Sequence, residues 1–247
     1  MKEGIIMGIS VSCNCNKDNL SGCIVCGHVL FYTPDMPFRA KCFFCGKEET
    51  TNVFCLEGHY VCDDCHSKDI LEIVEKACIN SSLTDPVELA LQIFALPTLH
   101  MHGPEYHSIV PAVLVTAYGN SNNKKNIEAI REAISRGKAV IGGVCGTHGS
   151  CGAGIGIGIA YSIINRVTPY STDERGRANQ MTAHALTAIS KVGGPRCCKR
   201  DSMIAIESAI EKFKCFASTG KSKYICSQYI DNDMCIKGQC PYFTGKE

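Results

Sequence analysis

The chain has 247 residues, 45% of them hydrophobic and 18 of them cysteine, with a formal net charge of +1. That balance gives no reason to expect a polyanionic partner, so nucleic-acid binding is not expected. The longest apolar runs, such as Ile109 to Ala117, fall short of the ~20 residues a membrane helix needs, which predicts a soluble protein with no membrane contact.

At the N-terminus, the apolar stretch Gly4 to Ile9 is too short for the core of a secretory signal, and Cys13 and Cys15 follow at once. Without an oxidising compartment a disulfide scaffold is not expected, so the thiols of a cytoplasmic protein are read as serving metal binding and thiol chemistry, in an anaerobic host. The cysteines fall into two blocks, Cys13 to Cys78 and Cys145 to Cys240. The first block has short β-type runs such as Val29 to Tyr32 among turn residues, which predicts a small metal-stapled α+β module over residues 1–67.

Within that module, Cys23-x2-Cys26-Gly27 and Cys42-x2-Cys45-Gly46 are knuckles of one form, followed by Cys55-x3-His59 and Cys62-x2-Cys65. Two thiolates separated by two residues can grip one tetrahedral ion, and the glycine after the second relieves the turn. These eight residues are expected to hold two zinc ions in closed sites that support folding or docking and do no chemistry. A cross-brace would join the first pair to the third and the second to the fourth, whereas a ribbon would join neighbouring pairs. The order from Cys42 to Cys65 resembles that of RING and treble-clef zinc modules, which favours the cross-brace.

Residues 68–247 read as a mainly helical, cysteine-rich domain. Ile70, Leu71, Val74 and Ala77 give helical spacing, and Thr84-Asp85-Pro86 reads as a cap with proline in the first turn of a second helix. Pro104-Glu105 opens an apolar segment to Tyr118, and Ile127, Ile130 and Ile134 mark an amphipathic helix ended by Gly137. Cys151 to Ile164 reads as a buried glycine-rich helix. Ser171 to Glu174 reads as a capping sequence for a helix to about Val192, stopped by Gly193-Gly194-Pro195. The last helix is expected from Cys198 to Phe213.

Four groups in this domain carry chemistry. Cys145 and Cys151 flank His148 in a glycine-rich turn that could approach an anion or sulfide, while the glycines from Gly152 to Gly158 are better explained by close helix packing than by a dinucleotide. Cys197 and Cys198 are flanked by Arg196, Lys199 and Arg200, cations expected to favour thiolate. Cys226, Cys235 and Cys240-Pro241 supply three more thiols, which with one of the vicinal pair would complete four ligands for an iron-sulfur cluster or a further zinc. His100, His102, Glu105 and His107 gather at a helix start, where a metal or acid/base role and a surface cap are both open readings. Cys151, Cys198, His102 and Glu105 are the candidate catalytic residues and Cys145, Cys197, Cys226, Cys235 and Cys240 the candidate cofactor ligands; Cys145 or Cys151 is expected to meet Cys197 or Cys198 in one pocket that His100, His102 and Glu105 also face, with His148 as an alternate proton donor. Cys78 reads as a core residue.

Through His100-x-His102-Gly-Pro-Glu105, Gly194-Pro-Arg-Cys-Cys-Lys-Arg200 and Cys235-x4-Cys240-Pro, the chain resembles an uncharacterised family of anaerobic archaea and bacteria with N-terminal zinc knuckles. Cys145, Ser150-Cys-Gly-Ala-x-x-Gly156 and Cys197-Cys198 are similar to the redox-associated family named for its C, GCAxxG, C and C motifs, although this chain has Ser-Cys-Gly-Ala in place of Gly-Cys-Ala. The resemblance implies neighbours of methyltransferase-like or radical-SAM type and work in sulfur or metallocofactor handling. The expected function is an iron-sulfur or thiol-based redox or sulfur-transfer protein; the alternative is a non-catalytic zinc adaptor for such a partner.

Overall fold

A computed structural model describes residues 23, 28–33, 35–43, 46–96, 99–213, 216, 224–230 and 232–245. Cys13, Cys15, Cys26, Cys45 and Cys215 lie outside the described residues. The protein is mainly helical, with a small strand region at the N-terminal side. Strand β1 (Leu30–Tyr32) pairs antiparallel with β4 (Val53–Cys55), and β2 (Phe38–Lys41) pairs antiparallel with β3 (Glu48–Thr51). Two-stranded ribbons this short are marginal in water on their own, so the cysteine groups at their ends bear on whether they form at all.

Eight helices follow among the described residues: α1 (Asp63–Asn80), α2 (Pro86–Phe94), α3 (Glu105–Ser121), α4 (Ile127–Lys138), α5 (Val144–Thr147), α6 (Gly152–Ile164), α7 (Asp173–Val192) and α8 (Cys198–Phe213). Helix α3 is the centre, buried along nearly its whole length and packed by α1, α2, α4, α6 and α8. Asp85 caps α2, its carboxylate accepting from the Val87 amide at 2.8 Å with Pro86 in the first turn, so that start forms as its chemistry predicts. Cys78 is fully buried in the core.

Helix α6 shows what its glycines are for. Side chains at Gly152 and Gly156 would drive into α3, a Cβ meeting His107 Cδ2 at 2.1 Å and Pro111 Cδ at 2.9 Å. Side chains at Gly154 and Gly158 would drive into α7, meeting Leu186 Cδ2 at 2.7 Å and Thr182 Oγ1 at 2.2 Å. Residues four apart share a helix face, so the run is two glycine pairs that let two helices approach α6 from different sides.

Two local expectations are corrected. Gly137 does not end α4; it lies inside the helix because a Cβ there would sit 2.3 Å from the His107 carbonyl oxygen of α3. The Ser171 to Glu174 capping box does not form: Thr172 caps α7 with no side-chain hydrogen bond, while Ser171 Oγ accepts from the Thr168 amide at 3.0 Å in the turn before it. Residues 67 and 68 fall within α1, so the strand region and the helical part share that helix. Among the described residues no helix is long and apolar enough to cross a membrane.

Candidate metal and thiol sites

Cys23, Cys55 and His59 bring one ligand atom each within 4.8 Å of one another, and Cys42, Cys62 and Cys65 do the same. Both groups can hold a metal ion, and the pairing is first with third and second with fourth, the cross-brace order. Cys26 and Cys45, the expected fourth members, lie outside the described residues. Local backbone bonds shape the knuckles. The Cys23 amide donates to His28 O at 2.7 Å and the Cys42 amide to Lys47 O at 2.8 Å, with Gly46 at φ 72° closing the second turn. The Cys62 amide donates to Cys42 Sγ at 3.4 Å, an amide–sulfur contact that steadies a thiolate.

A cavity of about 510 Å³ lies between the strand region and the helical bundle. Cys145, Cys151, Cys198 and His102 line it from the bundle, and Tyr32 and Tyr60 from the strand side. The glycine turn thus meets the vicinal pair through Cys198. Arg196 spans the seam, its guanidinium 5.6 Å from the centre of the Tyr32 ring.

The two vicinal cysteines part company because consecutive residues at a helix start point about 100° apart. Cys198 faces the large cavity, whereas Cys197 joins Cys226, Cys235 and Cys240 around a second, small cavity of about 20 Å³. Cys145 therefore does not sit with the other four candidate cofactor ligands.

Thiolate is not the resting form expected from the flanking cations. Burial pushes Cys151 and Cys197 up to about 11 and Cys198 higher still, against only partial relief from Arg200 at Cys197 and Arg196 at Cys198. The cations are otherwise engaged: Arg200 pairs with Asp201 at 2.9 Å and donates to Pro195 O at 3.0 Å. Lys199, 2% exposed, donates to Phe94 O at 2.9 Å and to Gln228 Oε1, both neutral groups. A bound metal would supply the charge that these thiols lack.

His66, His100 and Glu105 form a third compact group with ligand atoms within 4.8 Å of one another. His66 sits on the first turn of α1, His100 in the loop before α3, and Glu105 at the first position of α3. Tyr106 holds the loop, its hydroxyl donating to His100 O at 2.8 Å. Burial alone would raise the Glu105 carboxyl, but the His100 and His66 contacts outweigh it and hold it down at about 2. Burial and then Arg196 push His102 down to about 4, which keeps its imidazole neutral.

Of the candidate catalytic residues, Cys151, Cys198 and His102 line the large cavity, while Glu105 is fully buried behind Gly103 in its wall. His148 is exposed, its Nδ1 2.8 Å from Thr147 Oγ1, and is not on the cavity wall, so it cannot serve as the alternate proton donor there. His66 escaped sequence reading. Its one signal was position, directly after Cys65 on a turn that a metal group fixes.

Comparison with curated proteins and comparison with solved structures each gave no match. A family model matches residues 74–243, a span that takes in His100, Glu105, the vicinal cysteines and the tail thiols and begins beyond the two N-terminal metal groups. The chain belongs to that family, a family of unknown function designated DUF5714.

Proposed function

We propose that this is an iron-sulfur and thiol protein of redox or sulfur-transfer type, stapled by two zinc ions at its N-terminal side. The observation that carries the reading is the placement of Cys197, Cys226, Cys235 and Cys240 around one small cavity. Among the described residues, ligand atoms within 4.8 Å of one another form three groups, and none takes a sulfur from this quartet. Thiolates sharing one zinc through ~2.3 Å bonds stand about 3.8 Å apart. Thiolates on separate irons of a cluster stand farther apart, on the order of 6 Å.

Lys199 supports the same reading. An ammonium this buried with only neutral hydrogen-bond partners is costly unless an anionic centre lies beside it. Burial brings its pKa down to about 8, opposed by Cys226 and Cys197. A cluster bound by four thiolates is the anion that fits. On the far side of the same helix start, Cys198 offers a thiol to whatever enters the larger cavity.

The test is purification without oxygen followed by iron, sulfide and zinc analysis and visible and paramagnetic resonance spectra. Iron and sulfide in equal amounts, lost in Cys197→Ser, are expected. Zinc alone at every cysteine group would replace this reading with that of a non-catalytic zinc adaptor.

A further inference from the structure

We infer that His66, His100 and Glu105 form a third metal site, which takes a divalent first-row ion such as zinc or ferrous iron and lies behind the wall of the large cavity. Two imidazoles and one carboxylate are the donor set of catalytic zinc and of non-haem ferrous sites, where three protein ligands leave a position for water or substrate. The thiolate-rich groups nearby are of the other kind, closed and structural.

The distances fit an ion better than they fit an ion pair. His66 Nδ1 lies 3.5 Å from Glu105 Oε2, and His100 Nδ1 lies 3.5 Å from Glu105 Oε1. Ligand atoms on a tetrahedral ion with ~2.1 Å bonds stand about 3.4 Å apart. A histidine donating directly to a carboxylate would close to about 2.8 Å. Here none of the four atoms has a hydrogen-bond partner, although all four are buried. A carboxylate with 0% exposure and both oxygens unpartnered is rare and costly without a cation between it and its neighbours.

The surrounding chain is shaped to the carboxylate. A Cβ at Gly103 would sit 1.9 Å from Glu105 Oε2, so any larger residue there would have to displace the carboxylate. Gly103 and Cys198 both line the large cavity. His66 lines it as well, while the four ligand atoms are buried behind its wall. The site shares no ligand with the Cys197 quartet and stands whatever that quartet holds.

The experiment uses the full chain purified without oxygen, with metals counted per chain for wild type, His66→Ala and Glu105→Gln. Each variant is expected to hold one divalent ion fewer than wild type, with its helical circular dichroism and its sulfide content unchanged. Folded variants that hold as many ions as wild type would overturn the site. Crystals of the wild-type chain grown with zinc sulfate give a test that needs no variant. Anomalous scattering at the zinc edge should show a peak within about 2.1 Å of both Nδ1 atoms and a Glu105 oxygen, and an empty map there would sink the inference.

Discussion

The two regions of this molecule gather cysteines by different means. On the N-terminal side, tight turns between very short strands draw Cys42, Cys62 and Cys65, and likewise Cys23, Cys55 and His59, to within 4.8 Å. On the C-terminal side, a helix start and an irregular tail hold Cys197, Cys226, Cys235 and Cys240 around one cavity without that convergence. The difference is that sulfur spacing, not cysteine count, separates a group shaped for one ion from one that is not. A knuckle fixes its two sulfurs by local geometry, whereas the quartet's spacing depends on how the tail packs against α8.

The largest effect that would sharpen this contrast is expected from Cys62→Ser. Serine there can still cap α1, so the loss isolates the metal. Since structural zinc contributes about 10–16 kcal/mol of apparent binding energy in small zinc modules, the strand region should lose one ion and its order together. Thermal melting with metal analysis would read both, and a folded, fully loaded variant would break the comparison.

Next comes Cys235→Ser. On the proposed reading it should remove the iron and sulfide while lowering the melting temperature less than Cys62→Ser does, because Cys235 is not among the tail residues, such as Tyr242 and Cys240, that pack on the helical core. Cys198→Ser should leave iron untouched, since Cys198 faces the other cavity. Equal iron loss in Cys198→Ser and Cys197→Ser would erase the split between the vicinal pair.

Lys199→Met gives a smaller and more diagnostic shift. A buried cation favours the more negative, reduced form of a cluster, so its removal should lower the midpoint potential seen by redox titration. If no anionic centre lies there, the same change removes an uncompensated buried charge and raises stability instead. The smallest effect serves as a control at a residue in none of the possible metal groups: Asp85→Ala, which deletes the α2 cap, should cost about 1 kcal/mol in denaturant unfolding with metal content unchanged.

Much of the helical part was legible because local rules and tertiary packing agree there. Asp85-Pro86 starts α2, and Gly193 and Gly194, at φ 62° and 78°, stop α7 as such residues do. The grouping of Cys23 with Cys55 and His59, and of Cys42 with Cys62 and Cys65, follows the cross-brace order expected from the sequence. Gly137 misled because its small size serves the neighbouring helix and not its own end. The thiolate expectation failed because sequence shows the cations but not the burial that outweighs them. His66 and His100 carry no shared spacing, and only the packing of α1 against α3 brings them to Glu105.

Helix α1 carries Cys65 and His66 side by side on its first turn, which Asp63 and Asp64 tie to Gly142 and Lys138. An ion at the Cys42 group would steady the same turn that would present an imidazole to an ion at Glu105. With both groups loaded, ordering entropy would be spent once, so whichever ion arrived first would leave less for the second to overcome. By thermodynamic reciprocity each ion would then raise the other's affinity by the same factor. Stripping the thiolate-bound ion would weaken the histidine site without touching any of its ligands, and the order in which ions leave under a chelator becomes a property of one helical turn.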